Sequence, residues 1–123
     1  MNGEPYTKFV EAGMKTNLIL INNDIVDAEE INIHPFNRGH QFGDGVFEQV
    51  PVYNGKALHP EAHMEHLLNA MVKIKIPAIY MVEEMVDCLR RFIAAAEIKE
   101  GMVYTQIPRG IGAYELDFPE QCE

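Results

Sequence analysis

The chain has 123 residues, of which 47% are hydrophobic, so we expect one domain with one core. Nineteen acidic against ten basic residues give a net charge of −9, which argues against a nucleic-acid surface, because phosphates are neutralised by clustered Lys and Arg. No apolar run approaches the ~20 residues that cross a bilayer, and two cysteines, Cys88 and Cys122, are too few for a disulfide scaffold. These exclusions favour a cytoplasmic protein with two reduced thiols.

The first third of the chain predicts a hairpin followed by a glycine-rich loop. Residues 1–16 are polar and aperiodic, and we interpret them as a flexible leader, with Met14 as an alternative start. The β-branched run 18–21, an Asn-Asn-Asp turn and the returning strand 25–26 form a small hairpin. Residues 37–45 hold three glycines in nine positions, which predicts a loop.

A strictly alternating segment over 46–53 predicts the next strand. Its two faces are Val46, Glu48, Val50 and Val52 on one side, and Phe47, Gln49, Pro51 and Tyr53 on the other. Because Pro51 cannot donate to a ladder, we expect this strand at a sheet edge or bulged there. Asn54-Gly55 is a strong hairpin signal and predicts a tight turn into 56–58.

Two helices and a final strand follow. Pro60 suits a first helical turn, and apolar residues recur at helical spacing from there to Pro77. A second apolar stripe predicts a helix over about 81–98, and residues 102–107 predict a strand. This order predicts an α+β fold: a small domain over 17–120 with a mostly antiparallel sheet and two helices.

Three histidines near the first helix raise a metal hypothesis. His59, His63 and His66 share an arc of about 60° if the helix begins at His59. However, His59 precedes Pro60, a position biased away from helical geometry, and no acidic or cysteine ligand obviously joins the group. A solvated or core-rim histidine stripe is the favoured interpretation.

Two glycine-rich loops are the other candidates. Gly43-Asp44-Gly45 is interpreted either as a tight entry into a strand or as backbone that approaches a ligand closely. The segment 108–112 is a flexible loop with one exposed arginine, Arg109, or a loop in which that arginine binds an anionic ligand. From chemistry alone, the sequence indicates a soluble α+β domain with two glycine-rich loops.

Motifs spread along the chain resemble the N-terminal domain of class IV aminotransferases, and most closely that of D-amino acid aminotransferases. They are RGHQFGDGVFE at 38–48, VYNG at 52–55, HMEHL at 63–67, YTQIPRG at 104–110 and DFPE at 117–120. The resemblance implies a pyridoxal-phosphate enzyme that moves an amino group between an amino acid and a 2-oxo acid. It also implies a homodimer, with the cofactor between this domain and a larger C-terminal domain.

The resemblance also limits what this chain is expected to do. The family's cofactor-binding lysine lies beyond residue 123, and residues 121–123 are interpreted as an exit toward that second domain. The lysines present do not match it: Lys8, Lys15, Lys56, Lys73, Lys75 and Lys99. We therefore carry over no catalytic residue and expect no transamination or cofactor binding by this chain alone. The alternative is a truncated, non-catalytic homologue that acts as a dimerising interaction domain.

Several positions implied by the resemblance differ from the D-amino acid enzymes. His66 stands where those enzymes place an arginine on the cofactor phosphate, and Phe47 stands where they have a tyrosine at the substrate. Tyr114 and Leu116 replace their carboxylate-binding arginine and histidine, so Arg109 is the better candidate for a substrate carboxylate. Phenylalanine at Phe47 matches the branched-chain and lyase members.

Overall fold

A computed structural model describes residues 17–112, 117–119 and 122. The predicted leader over 1–16, and Tyr114 and Leu116, lie outside the described residues. Among the described helices none is long and apolar enough to span a membrane. Cys88 and Cys122 are both free thiols.

The predicted N-terminal hairpin is confirmed. Strands β1 (Leu18–Ile21) and β2 (Asp24–Asp27) pair antiparallel. The turn between them places Asn22 and Asn23 at φ of 49° and 73°. Asparagine tolerates this left-handed conformation, and two such residues in succession match the twist of a tight hairpin. A 3₁₀ turn, Ala28–Glu30, follows directly.

The glycine-rich segment contains a short helix that sequence reasoning missed. Helix α1 spans Arg38–Phe42, within the predicted loop 37–45. Asn37 caps it, since its Oδ1 accepts from the backbone N–H of Gly39 at 2.9 Å, and Gly43 ends it at φ 65°. A helix of one and a half turns has no room for an apolar period, so its caps were the available signal.

The main sheet has three antiparallel strands in the order β4–β3–β5. They span Gly45–Tyr53 (β3), Lys56–Ala57 (β4) and Gly101–Pro108 (β5). The expectation that β3 lies at an edge is wrong, because it is the central strand. Pro51 is tolerated because its carbonyl accepts from Leu58 N at 2.9 Å, just past the end of β4. A residue's nitrogen and carbonyl point to the same side of a strand, so no β4 residue requires the missing N–H.

Two helices cover one face of this sheet. They are α2 (Pro60–Lys73) and α3 (Val82–Ala96), close to the predicted ranges. His59 precedes α2 in a left-handed conformation with φ 48°, so it does not continue the histidine stripe of the helix. The core lies between helices and sheet and includes Val46, Val50, Val52, Met64, Leu67, Met71, Val86, Leu89 and Ile93. The α+β class with an antiparallel sheet is confirmed.

Candidate functional site

The sheet face that points away from the helices carries a stacked aromatic pair. Phe47 of β3 and Tyr104 of β5 have ring centroids 5.5 Å apart with planes inclined by 18°. Phe47 pairs with Gln106 in the ladder and Tyr104 with Gln49, so the rings meet along the diagonal. The two side chains remain 60% and 56% exposed. Exposed apolar surface of this kind is typical of a ligand or protein contact.

On the helix side, one carboxylate joins two histidines. Glu48 Oε2 lies 2.6 Å from Nδ1 of His66, and its Oε1 lies 3.3 Å from Nδ1 of His63. The same Oε1 accepts from the backbone N–H of Gln49 at 3.1 Å. Glu48 is 17% exposed, whereas the side chain of His66 is 75% exposed. The cluster therefore runs from the edge of the core to the surface.

These contacts keep Glu48 ionised. Burial raises the pKa of Glu48, but hydrogen bonds from His66, from the backbone of Gln49 and from His63 outweigh it, so the pKa falls below its usual 4.5. The expectation that no acidic group joins the histidines is wrong, because it lacked the packing of α2 on β3. No set of three or more His, Cys, Asp or Glu side chains among 17–112, 117–119 and 122 is arranged to hold a metal ion.

A third feature is an ion cluster at the entry to β3. Asp44 Oδ2 accepts from Nε of Arg38 and from Nε of Arg109, each at 2.7 Å. All three residues are nearly buried, with 9% exposure for Asp44, 2% for Arg38 and 8% for Arg109. Burial raises the pKa of Asp44, but the hydrogen bonds and charges of Arg109 and Arg38 outweigh it and hold the pKa below 3.8. We call these residues the arginine clamp.

Arg109 is not the exposed loop arginine that the sequence indicated. Besides Asp44, it donates from Nη1 to Lys75 O at 3.2 Å and from Nη2 to Ile74 O at 2.7 Å. Its Cζ lies 4.0 Å from the ring centroid of Phe118. Three of its five N–H donors therefore bind inside the domain. A substrate contact by Arg109 stays a prediction.

A cleft of about 330 Å³ adjoins the arginine clamp. It is lined by Arg38, Phe42, Gly43, Asp44, Gly45, Ile74 and Phe118. Neither this lining nor the contacts of Arg109 described above include Phe47 or His66. The structure thus separates the clamp from the aromatic pair and from the Glu48 cluster.

Sequence reasoning missed two residues of these features, Glu48 and Tyr104. The signal for Glu48 was present, because a carboxylate stands among Val46, Val50 and Val52 on the inward face of β3. A charged group in such a row requires partners. Tyr104 had no such signal, since its contact with Phe47 depends on the register of β3 against β5.

The chain has clear relatives among known proteins, although no family model matched it. A D-alanine aminotransferase of Listeria monocytogenes is 38% identical over 93 residues, which is 76% of this chain and 32% of that protein. A D-alanine aminotransferase of Staphylococcus haemolyticus is 31% identical over 101 residues, or 82% of this chain and 36% of that protein. The chain spans about a third of the length of the curated relatives it matches.

Solved structures share the fold. The branched-chain amino acid aminotransferase of Escherichia coli superposes with a TM-score of 0.78 at 19% identity, over 86% of this chain and 36% of that one. Sequence and fold together place the chain among the class IV aminotransferases, and it has the fold of their N-terminal domain. Within that class, both of these relatives by sequence are D-alanine aminotransferases.

Proposed function

We propose that this chain is the N-terminal domain of a pyridoxal-phosphate-dependent aminotransferase of the D-amino acid or branched-chain type. The observation that carries the proposal is the 38% identity to a D-alanine aminotransferase over 76% of the chain. The enzyme as a whole would move an amino group between an amino acid and a 2-oxo acid, and would act as a homodimer. A cytoplasmic location is supported by the two free thiols, because disulfides are rare in that compartment.

Residues of the domain fit part of a cofactor site. His66 exposes most of its imidazole, and one ring nitrogen is already held by Glu48. The ring thus offers a single further nitrogen to the cofactor phosphate, where a guanidinium would offer a bidentate fork. When bound, pyridoxal phosphate serves as an electron sink for the amino-acid Cα and makes the exchange of amino groups feasible. His66 would bind and orient its phosphate.

The substrate side of the proposed site is assigned to Phe47, Arg109, Tyr114 and Leu116. Phe47 supports this assignment because its ring is exposed and supported by Tyr104. An apolar wall of this kind binds a side chain and excludes water from it. Arg109 would act mainly by holding its loop, since its guanidinium binds Asp44 and two backbone carbonyls.

A second candidate is a non-catalytic dimerising domain, favoured by the apolar outer face of the sheet. Besides the aromatic pair, Tyr53 and Met102 are exposed by 63% and 55%. A face of this size and composition is suited to burial against protein. The replacement of the family's phosphate-binding arginine by His66 also favours this candidate, because a weaker phosphate contact matters less without catalysis.

One experiment separates the two candidates. The coding frame is read past residue 123, and its complete product is purified with pyridoxal phosphate and supplied with D-alanine, or in parallel leucine, and 2-oxoglutarate. The aminotransferase proposal expects glutamate formation that requires both cofactor and amino donor. Absence of turnover together with a cofactor-free dimer, measured by light scattering, would instead support the interaction domain. We expect no turnover from residues 1–123 alone.

A further inference from the structure

The two oxygens of Glu48 have separate tasks. Oε1 is anchored, since it accepts from Gln49 N at 3.1 Å and lies 3.3 Å from Nδ1 of His63. Oε2 is directed at His66 and approaches its Nδ1 to 2.6 Å. A largely buried carboxylate fixed to the sheet and to the helix therefore orients an imidazole that is mostly exposed. Without it, a histidine at the helix surface would sample several rotamers.

This contact determines which ring nitrogen of His66 can meet a ligand. An ionised carboxylate only accepts hydrogen bonds, so Nδ1 must carry a proton. The remaining nitrogen, Nε2, lies at the opposite edge of the ring, and 75% of the side chain is exposed. Nε2 is then a lone-pair acceptor in the neutral ring and an N–H donor in the imidazolium.

We propose that Glu48 is a positioning residue that holds His66 at Nδ1 so that Nε2 donates to a phosphate monoester. This inference rests on the proposed cofactor contact of His66 and adds to it the residue that makes an imidazole usable there. A neutral ring presents a lone pair to the anion, and Glu48 adds a negative charge nearby. Binding of the phosphate therefore requires the imidazolium and takes up a proton, which binding by an arginine would not do.

Within the described part of the chain, the other charges around His66 are few or distant. On its own helix, His63 shares the Glu48 carboxylate. Glu61, more than a turn earlier, pairs with Arg90 of α3 at 3.4 Å, and both side chains are about 60% exposed and thus screened by water. From β3, the charged group in contact with the ring is Glu48. The proton taken up on binding is therefore assigned to the two histidines of the cluster.

The test compares pyridoxine 5′-phosphate with pyridoxine by titration calorimetry, so that the difference reports the phosphate alone. Both are alcohols and form no imine with lysine side chains. We expect wild type to prefer the phosphate by about tenfold at mildly acidic pH, and to lose that preference at alkaline pH. His66→Gln abolishes the preference, whereas His40→Gln, at an exposed histidine of α1, retains it. His66→Arg retains it at both pH values.

Two variants at Glu48 test the positioning role. Nitrogen-15 spectra of the histidine rings report which nitrogen carries the proton. Glu48→Ala frees the ring, so it lowers the phosphate preference severalfold and changes the Nδ1–H signature of His66 to a mixture of tautomers. Glu48→Gln retains an acceptor oxygen, so it keeps the signature and a preference closer to wild type. Circular dichroism checks that each variant is folded.

The unfavourable outcomes differ from each other. If wild type and Glu48→Ala share the same phosphate preference and the same His66 signature, the positioning role is overturned and the His66 contact stands. If wild type shows no phosphate preference at any pH while the Nδ1–H signature is intact, the proposed cofactor contact fails and the inference fails with it.

Discussion

Arg109 donates from Nε to Oδ2 of Asp44 at 2.7 Å, although 65 positions separate the two residues in the chain. Backbone bonds reinforce this contact, since Arg109 N donates to Asp44 O at 2.9 Å and Arg38 N donates to Gly110 O at 2.8 Å. The two glycine-rich loops, which lie far apart in the sequence, are thus joined into one structure. Phe118 packs on the same guanidinium.

The arginine clamp is expected to dominate local stability. Asp44→Asn removes the charge that two buried guanidiniums share, so we expect a loss of about 3–5 kcal/mol in the free energy of unfolding. Urea denaturation measures this loss. Glu61→Gln is the matched control, because it breaks the exposed pair with Arg90 and should cost no more than about 1 kcal/mol. Equal losses in the two variants would contradict the importance of the clamp.

Acid should destabilise the domain through Asp44. The pKa of this carboxyl is lowered in the folded state from its usual 3.8, so it contributes stability above its unfolded pKa. That stability is lost as pH falls through the folded-state pKa, below about pH 4. We expect the free energy of unfolding of Asp44→Asn to fall less steeply with acidification than that of wild type. Parallel profiles, recorded by denaturation at several pH values, would refute this.

The two faces of β3 should respond differently to truncation. Val50 is fully buried, so Val50→Ala is expected to lower the free energy of unfolding by about 2 kcal/mol. Phe47, three positions earlier on the outer face, is 60% exposed, so Phe47→Ala should cost less than about 1 kcal/mol. Thermal and urea denaturation compare the two. A larger cost for Phe47→Ala would mean that the outer face is packed in solution, as the dimerising alternative requires.

Gly43 and Gly45 should resist substitution for different reasons. Gly43 has φ 65° and open space where a Cβ would stand, whereas a Cβ at Gly45 would lie 2.8 Å from Ile107 O and from Pro108 Cα. Alanine at Gly43 should cost about 1 kcal/mol from backbone strain, and asparagine should recover part of it. At Gly45, asparagine should cost at least as much as alanine, because the contact is with backbone. Recovery by Gly45→Asn, in denaturation measurements, would contradict the steric explanation.

Local signals in the sequence were sufficient for most of the architecture. Helix α2 follows from Pro60 and a helical apolar period, and β3 follows from strict alternation between Val46 and Tyr53. Helix α1 was missed because it depends on caps rather than on periodicity. The central position of β3 was missed because the tolerance of Pro51 depends on where β4 ends, which no local pattern encodes.

The sequence alone determined the family likeness, the two faces of β3 and the location of the candidate residues Phe47 and His66. The tertiary structure decided which of them have partners. Glu48 meets His66 because α2 packs on β3, and Arg109 is buried because a loop 65 positions away presents Asp44. Periodicity reports the interaction of a residue with solvent and core along one element. Pairing between elements depends on register and packing angle, so the charge partners of these residues became visible only in the folded chain.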